Sequence, residues 1–230
     1  TTTYQYDADL RLTGETDGLT HTESYTYDIN NNRLTVADRN NHTTIYTYDS
    51  NGNVLTVTNA RNGVSTYTYD DHNNVLTFTD PLSHMTTYTY DASGNRLSAT
   101  DALISTTTYT YYEDADRLGL LHTVTDPLSH TTTYDYNSQG DLTSVIDPLN
   151  QTQTYTYDLG GRKLTYTDAR SNTWTYAYDN LNRLLSETDP RSGVTTYTYD
   201  PVGNLNAQED PNHKSTIYIY DEKDLLTTVT

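Results

Sequence analysis

Aspartate, histidine and tyrosine are the residues of this chain with chemistry to offer, and each recurs at a fixed spacing. An aspartate closes every Tyr-x-Tyr-Asp element, as at Asp7, Asp28, Asp49, Asp70 and Asp91. Acidic side chains repeated in this way bind calcium in some extracellular repeats. An aspartate after a strand also caps a turn by bonding the backbone two residues on. If the units are hairpins, successive aspartates lie about 9.6 Å apart. Oxygen ligands at about 2.4 Å cannot share one ion across that gap. The glycine-rich acidic nonapeptide of calcium-binding β-helices is absent too. No cofactor is therefore expected, and calcium is the single ion the composition keeps open.

His21, His42, His84 and His130 share one repeat position, which suggests a metal column or a pH-sensitive row. Other units place Gly63, Ser105, Gln151, Asn172, Gly193 and Lys214 there, so the position asks only for a turn residue. Ser-His-Asp sets can be drawn from any chain this rich in hydroxyls and carboxylates. Nothing marks a strained nucleophile turn, and no enzyme activity is expected. Aromatic stripes can stack on sugars, which keeps an adhesin or carbohydrate-binding role as an alternative. The tyrosine pairs recur in every unit, however, so ring packing is their expected use. Asn41-His42-Thr43 and Asn150-Gln151-Thr152 match the glycosylation acceptor pattern and fall in expected turns.

These residues are positioned by a repeat. Units begin at Tyr4, Tyr25, Tyr46, Tyr67, Tyr88 and Tyr109, each 21 residues after the last. A step of 25 leads to Tyr134, and steps of 21 resume at Tyr155, Tyr176, Tyr197 and Tyr218. A fixed period of this length is the signature of a repeat architecture. Residues 1–230 read as a single array. It begins and ends inside units without capping repeats, as an excerpt of a longer array would.

Within one unit, Thr86-Thr87-Tyr88-Thr89-Tyr90 alternates with period two in β-branched and aromatic residues and reads as a strand. Asp91-Ala92-Ser93-Gly94 supplies a three-residue hairpin loop whose last residue takes positive φ. Gly52, Gly94, Gly140, Gly161 and Gly203 hold that position, as do Asn31, Asn73 and Asn182. A second strand such as Val54-Leu55-Thr56-Val57-Thr58 follows. It ends at Asp-Pro, as at Asp80-Pro81, where proline forces a turn. With such a loop, the tyrosines and the Leu/Val positions fall on opposite faces. The residues expected to carry the architecture are Tyr25, Tyr27, Asp28, Tyr46, Tyr48, Asp49, Tyr88, Tyr90, Asp91, Leu97 and the five glycines. None is assigned as catalytic, cofactor-binding or metal-binding.

Three units depart from the pattern. Repeat 6 has Tyr112 where aspartate is usual and about four extra residues near Gly119-Leu120-Leu121-His122, an even insertion that preserves alternation. Repeat 1 reads as one residue short before Arg11-Leu12 and one long at Gly14, a compensated shift or bulge. Repeat 8 carries the only tryptophan, Trp174, where threonine is usual.

No window has helical periodicity. The expected fold is all-β: about eleven 21-residue hairpin units in a long antiparallel sheet. A column of carboxylates at the spacing of a parallel β-helix would repel, which favours hairpins. That many strands must coil into a spiral, tube or shell. A net charge of −18 argues against nucleic acid and anionic membranes. No apolar run is long enough to insert in a membrane. Without cysteine there are no disulfides or thiolate metal sites. Few lysines with many Thr, Asn and Tyr suggest an extracellular or cell-surface protein.

The alternation of Tyr-x-Tyr-Asp-x-x-Gly-Asn-Arg-Leu with Thr-Asp-Pro-Leu-Ser-His-x-Thr-Thr resembles the YD-repeat, or Rhs-repeat, family over essentially the whole chain. That family includes bacterial Rhs toxins, cocoon components of insecticidal toxin complexes and teneurins. The resemblance implies a β-strip spiralling into a hollow shell, in bacteria often around a toxic C-terminal domain. The family's self-cleaving protease region and toxin domain are not recognisable here. The function expected is a non-enzymatic scaffold, as a tube, filament or shell wall, with a toxin-enclosing cocoon segment as an alternative. Its partners would be neighbouring repeats, further copies of itself or an enclosed toxin.

Overall fold

A computed structural model describes residues 1–230. It contains 22 β-strands and no helix. Strands of five or six residues such as Thr22–Tyr27 and Arg33–Ala37 alternate with loops, as the spacing of β-branched and aromatic residues dictates. The chain divides into two compact units, Thr1–Tyr109 and Thr110–Thr230. In the first, consecutive strands pair antiparallel from Thr3–Tyr6 through Arg96–Thr100 to the start of Thr106–Tyr111. In the second, they pair in the same way from Leu121–Thr125 to Leu226–Val229. Each unit is a meander of hairpins, and the parallel β-helix is excluded.

Both chain reversals of a repeat use one geometry. At the first, the Asp28 N–H donates to the Asn32 carbonyl (2.9 Å) and the Asn31 N–H to the Asp28 carbonyl (3.3 Å). This is the expected three-residue loop closed by a left-handed residue. Asn31 has φ 69°, and Gly52, Gly94, Gly140, Gly161 and Gly203 have φ from 76° to 106°. At the second, Asp38 N–H donates to the His42 carbonyl (3.1 Å) and Asn41 N–H to the Asp38 carbonyl (2.9 Å), with Asn41 at φ 62°. The Asp-Pro turn is therefore a second copy of the Asp-x-x-Gly turn, a likeness that its residue types do not announce. Ser83, Ser129 and even Ile104 take its left-handed position.

The two strands of a hairpin are not in simple register. Tyr25 faces Val36 and Thr26 faces Thr35, but Tyr27 faces Arg33, so Leu34 is an extra residue in a bulge. The same slip occurs between Thr47 and Tyr48 and between Thr68 and Tyr69, after the pairs Tyr46/Val57 and Tyr67/Phe78. This corrects the expected faces. One added residue reverses every later side chain, so Val36, Val57 and Phe78 share the tyrosine face. The opposite face carries threonine pairs, with Oγ1–Oγ1 distances of 2.7 Å at Thr26–Thr35, Thr47–Thr56 and Thr68–Thr77.

Repeat 1 is also corrected. Tyr4 faces Glu15, Gln5 faces Gly14 and Tyr6 faces Leu12, the same register as in repeats 2, 3 and 4. No compensated shift exists, because Leu10 itself takes the left-handed position at φ 62°. In repeat 6 the insertion lies wholly in the loop. Tyr112 N–H donates to the Leu120 carbonyl (2.9 Å) across the longer loop. The Thr110–Thr123 hydroxyl pair keeps the usual spacing at 2.7 Å, so alternation survives as expected.

The sheet has no core: no hydrophobic or polar side chain is fully withdrawn from solvent. The chain exposes 15345 Å², against about 10,500 Å² for a globular protein of its mass. Burial follows alternation instead, with Tyr25 and Tyr27 half-buried and Ser24 and Thr26 exposed.

Positive φ at the loop position gives two opposite expectations. Gly94→Val lowers unfolding free energy by on the order of 1–2 kcal/mol, because a β-branched residue resists that backbone. Ile104→Gly raises it by about 0.5–1 kcal/mol by relieving the same conflict. Urea titrations of both variants beside the parent check the pair. A stabilised Gly94→Val would show the loop geometry to be wrong.

Candidate functional surface: a tyrosine face edged by aspartate turns

The turn aspartates are engaged inside their own loops, through Oδ1 alone at Asp101 and Asp147 and through both oxygens at Asp28, Asp49 and Asp91. Asp28 Oδ1 accepts the Asn30 and Asn32 N–H groups (both 2.8 Å), and Oδ2 accepts Asn32 Nδ2 (2.9 Å). Asp49 and Asp91 repeat this with Asn53 and Asn95. The side-chain amide, with the loop N–H groups, holds these three carboxyls below the ordinary carboxylate range. At the second turn, His84 Nδ1 lies 2.9 Å from Asp80 Oδ2 and His130 Nδ1 2.9 Å from Asp126 Oδ2. The backbone N–H of the same histidine is the largest influence lowering Asp80 and Asp126. With their oxygens turned toward N–H donors, the aspartates gather into no cluster of three or more metal-ligating side chains.

The residue after the left-handed position ties one turn to the next. Arg11 Nε donates to Asp7 Oδ2 (2.7 Å), while Nη1 reaches the Asp28 carbonyl (2.9 Å) and Asn31 Oδ1 (2.8 Å) of the following repeat. Arg162 makes the same reach to the Asp179 carbonyl (2.8 Å) and Asn182 Oδ1 (3.1 Å). Where the position is asparagine, Asn53 Nδ2 bonds both Asp49 Oδ2 (2.9 Å) and Asn73 Oδ1 (2.7 Å). Repeat 7 exchanges the two partners, with Asn137 Nδ2 donating to Asp141 Oδ2 (2.9 Å). The bond persists with its direction reversed.

The two tyrosines of a pair do different work. The second sends its hydroxyl to a backbone carbonyl of the preceding repeat: Tyr27 to Leu12 (2.8 Å), Tyr48 to Arg33 (2.7 Å), Tyr69 to Val54 (2.7 Å) and Tyr90 to Val75 (3.0 Å). The ladder between consecutive hairpins ends at pairs such as Thr35↔Ile45. The carbonyl just before the bulge therefore lies beyond the ladder, and the hydroxyl satisfies it. Desolvation raises the pKa of Tyr48, Tyr69 and Tyr90.

The first tyrosine packs its ring across the strands, as Tyr67 does on Phe78 at 5.1 Å between centroids. Cations sit between such rings. Arg33 lies 5.9 Å from Tyr25 and 5.7 Å from Tyr46, and Arg96 lies 5.8 Å from Tyr88 and 4.7 Å from Tyr109. Leu97, one residue on, is 39% exposed. Sequence reasoning missed these bridges because their partners lie on neighbouring strands rather than beside them in the chain.

Repeat 6 is the specialised unit. In its long loop, Arg117 lies 3.9 Å from the Tyr112 ring centre and binds Asp114 (2.9 Å) and Asp135 (2.8 Å). The Tyr112 hydroxyl donates to Asp135 Oδ1 (3.0 Å) and the Tyr134 carbonyl (3.1 Å). Asp135 replaces the usual threonine of the Tyr-x-Tyr element, and that substitution was the available signal.

The sequence model of the RHS Repeat matches residues 30–65, 48–81, 69–103, 115–149, 136–173, 164–194, 178–212 and 199–230. The crystal structure of TcdB2-TccC3 aligns with 99% of this chain and 16% of its own, at a TM-score of 0.62 and 18% identity. That of TcdB2-TccC3-Cdc42 aligns with 99% and 15%, at 0.60 and 18%. The Photorhabdus luminescens Tc holotoxin pore aligns with 99% and 15%, at 0.59 and 17%. At such identities the likeness is one of fold, over a small part of each larger chain. No curated protein matches.

Tyr69→Phe should cost about 1 kcal/mol by leaving the Val54 carbonyl without its donor. Tyr67→Phe, whose hydroxyl bonds no carbonyl, should stay within about 0.5 kcal/mol. Equal losses in urea unfolding would refute the division of labour. The lowered aspartate pKa values set an acid limit. A depressed folded value stabilises fully above the unfolded carboxylate pKa, about 3.9, and is lost as pH falls through the folded value below it. Thermal midpoints should therefore drop steeply below about pH 4. A rise there, as relief of acidic repulsion alone would give, contradicts the capping role.

Proposed function

The chain belongs to the RHS repeat family, and from that premise we propose that residues 1–230 are one repeat array forming a non-enzymatic stretch of shell wall. One observation carries the reading. Within each unit the tyrosine face is at most half-buried, and no side chain is fully buried. A sheet with one apolar face is normally covered on that face. In a wall that coils on itself, further repeats or an enclosed cargo supply the cover. Solved neighbours that are parts of Tc assemblies favour a shell over a filament. In this reading the cargo is a toxic domain of the same protein, and the wall is extracellular or at the cell surface. The proposal includes no cofactor, no contact with nucleic acid and no membrane insertion. The acidic surface, at net charge −18, supports the exclusion of nucleic acid.

Cryo-electron microscopy of the intact parent protein tests this. Discrete hollow particles whose wall contains these hairpins are expected. Uniform filaments would overturn the shell. Turnover by the purified span, abolished by a single substitution within it, would overturn the scaffold reading altogether.

A further inference from the structure

Repeat 8 departs from its neighbours at two rings on one face. Opposite the first tyrosine of a hairpin stand Val36, Val57, Ala99 and Val145 in other repeats, but Tyr155 faces Tyr166. One strand on, Tyr166 faces Trp174, where Thr44 and Thr195 hold the position elsewhere. Three oxidisable rings therefore stack in a row. Tyr155 lies on Tyr166 at 5.3 Å with 20° between planes, and Tyr166 on Trp174 at 5.2 Å with 23°.

The hydroxyls of the two tyrosines converge. Both donate to one acceptor, Gln153 Oε1, from Tyr155 at 3.3 Å and from Tyr166 at 3.1 Å. Nearly parallel rings with their hydroxyls on one atom hold side by side the Cε carbons that flank those hydroxyls. By contrast, Tyr112 and Tyr136 meet edge-on, at 6.2 Å and 89°. A cation also separates the stack from the next tyrosine. The Lys163 ammonium lies 6.0 Å from the Tyr166 ring centre and 4.8 Å from that of Tyr176, which opposes passage of positive charge toward Tyr176.

We propose that Tyr155 and Tyr166 are a site of oxidative cross-linking, joined Cε to Cε as dityrosine by hydrogen peroxide acting through a haem peroxidase. Trp174 takes each oxidising equivalent first and passes it to Tyr166. The indole ends the stack and lines an open crevice, and it gives up an electron without first losing a proton. Burial raises the pKa of Tyr155 and keeps that phenol protonated, so it is the slower direct target. Each phenol loses one electron and its hydroxyl proton, leaving two phenoxyl radicals. These couple at Cε, and the hydrogen on each joined carbon leaves as a proton that returns to its own ring's oxygen, restoring both rings. The two electrons and two protons removed reduce one hydrogen peroxide to two waters. The new bond ties strands Thr152–Tyr157 and Lys163–Thr167 covalently. This chemistry is local to repeat 8 and does not rest on the wall reading.

Treating the purified protein with a haem peroxidase and hydrogen peroxide should produce dityrosine emission at a rate independent of protein concentration. Trypsin cuts after Arg162 and Lys163, so the bond appears in mass spectra as two joined peptides lacking two hydrogens. Tyr166→Val, which restores the residue of repeats 2 and 3, should abolish the joined pair, and so should Tyr155→Phe. Circular dichroism checks that both variants keep the sheet. Trp174→Phe keeps a ring without the oxidisable indole and should slow cross-linking several-fold. Three results would overturn the proposal: no joined pair in the parent, a joined pair that persists in Tyr166→Val, or cross-linking of Trp174→Phe at the parent's rate.

Discussion

A single-layer sheet without a core must hold each chain reversal locally, and here a carboxylate does so. Oδ1 of the first loop residue accepts two backbone N–H groups that the turn would otherwise leave bare, as at Asp28, Asp80 and Asp126. Unpaired N–H groups at every loop would be a heavy cumulative cost for a fold with so little apolar burial. Charge-assisted bonds are the strong ones, so aspartate outnumbers asparagine at this place. Asn59 and Asn137 show that the amide oxygen serves the same geometry. The acidic composition follows from this demand and needs no ligand to explain it.

The second organising feature is the bulge. It places valine and phenylalanine beside tyrosine and so gathers the apolar surface on one face. It also leaves a carbonyl beyond the ladder, which the next repeat's tyrosine hydroxyl satisfies. Hairpins are thereby joined by side chains where the backbone ladder stops. Arginine and asparagine beside the left-handed residue make a second line of joints along the turns. Each repeat thus holds mainly its neighbours, as stability in a one-dimensional array requires.

That modularity explains why specialised units are tolerated. The four extra residues of repeat 6 stay in the loop, whose Tyr112 and Arg117 bond Asp135 on the next repeat's strand without shifting the strands. Trp174 replaces threonine on the tyrosine face and extends an existing ring stack. Gly193 removes one donor from one turn and frees one oxygen, with the backbone bonds of that turn intact. Local chemistry can change at any repeat because no shared core transmits the change.

Much of this was legible in the residues alone. Period, strand type, hairpin pairing, the left-handed loop position and the even insertion all follow from short-range chemistry: alternation, turn residues and a count of two. Tertiary structure decided what depends on partners far along the chain. The bulge at Leu34 has no compositional mark, because an extra residue in a strand of Thr, Leu and Val looks like any other, yet it sets which face every later side chain takes. The second left-handed position was hidden because Asn, Ser, Thr, Ile and His occupy it in place of glycine. The hydroxyl-to-carbonyl bonds span 15 residues and the arginine ties 17 or 20. Those distances become contacts only when neighbouring hairpins lie side by side, so register, and not sequence proximity, chose the partners.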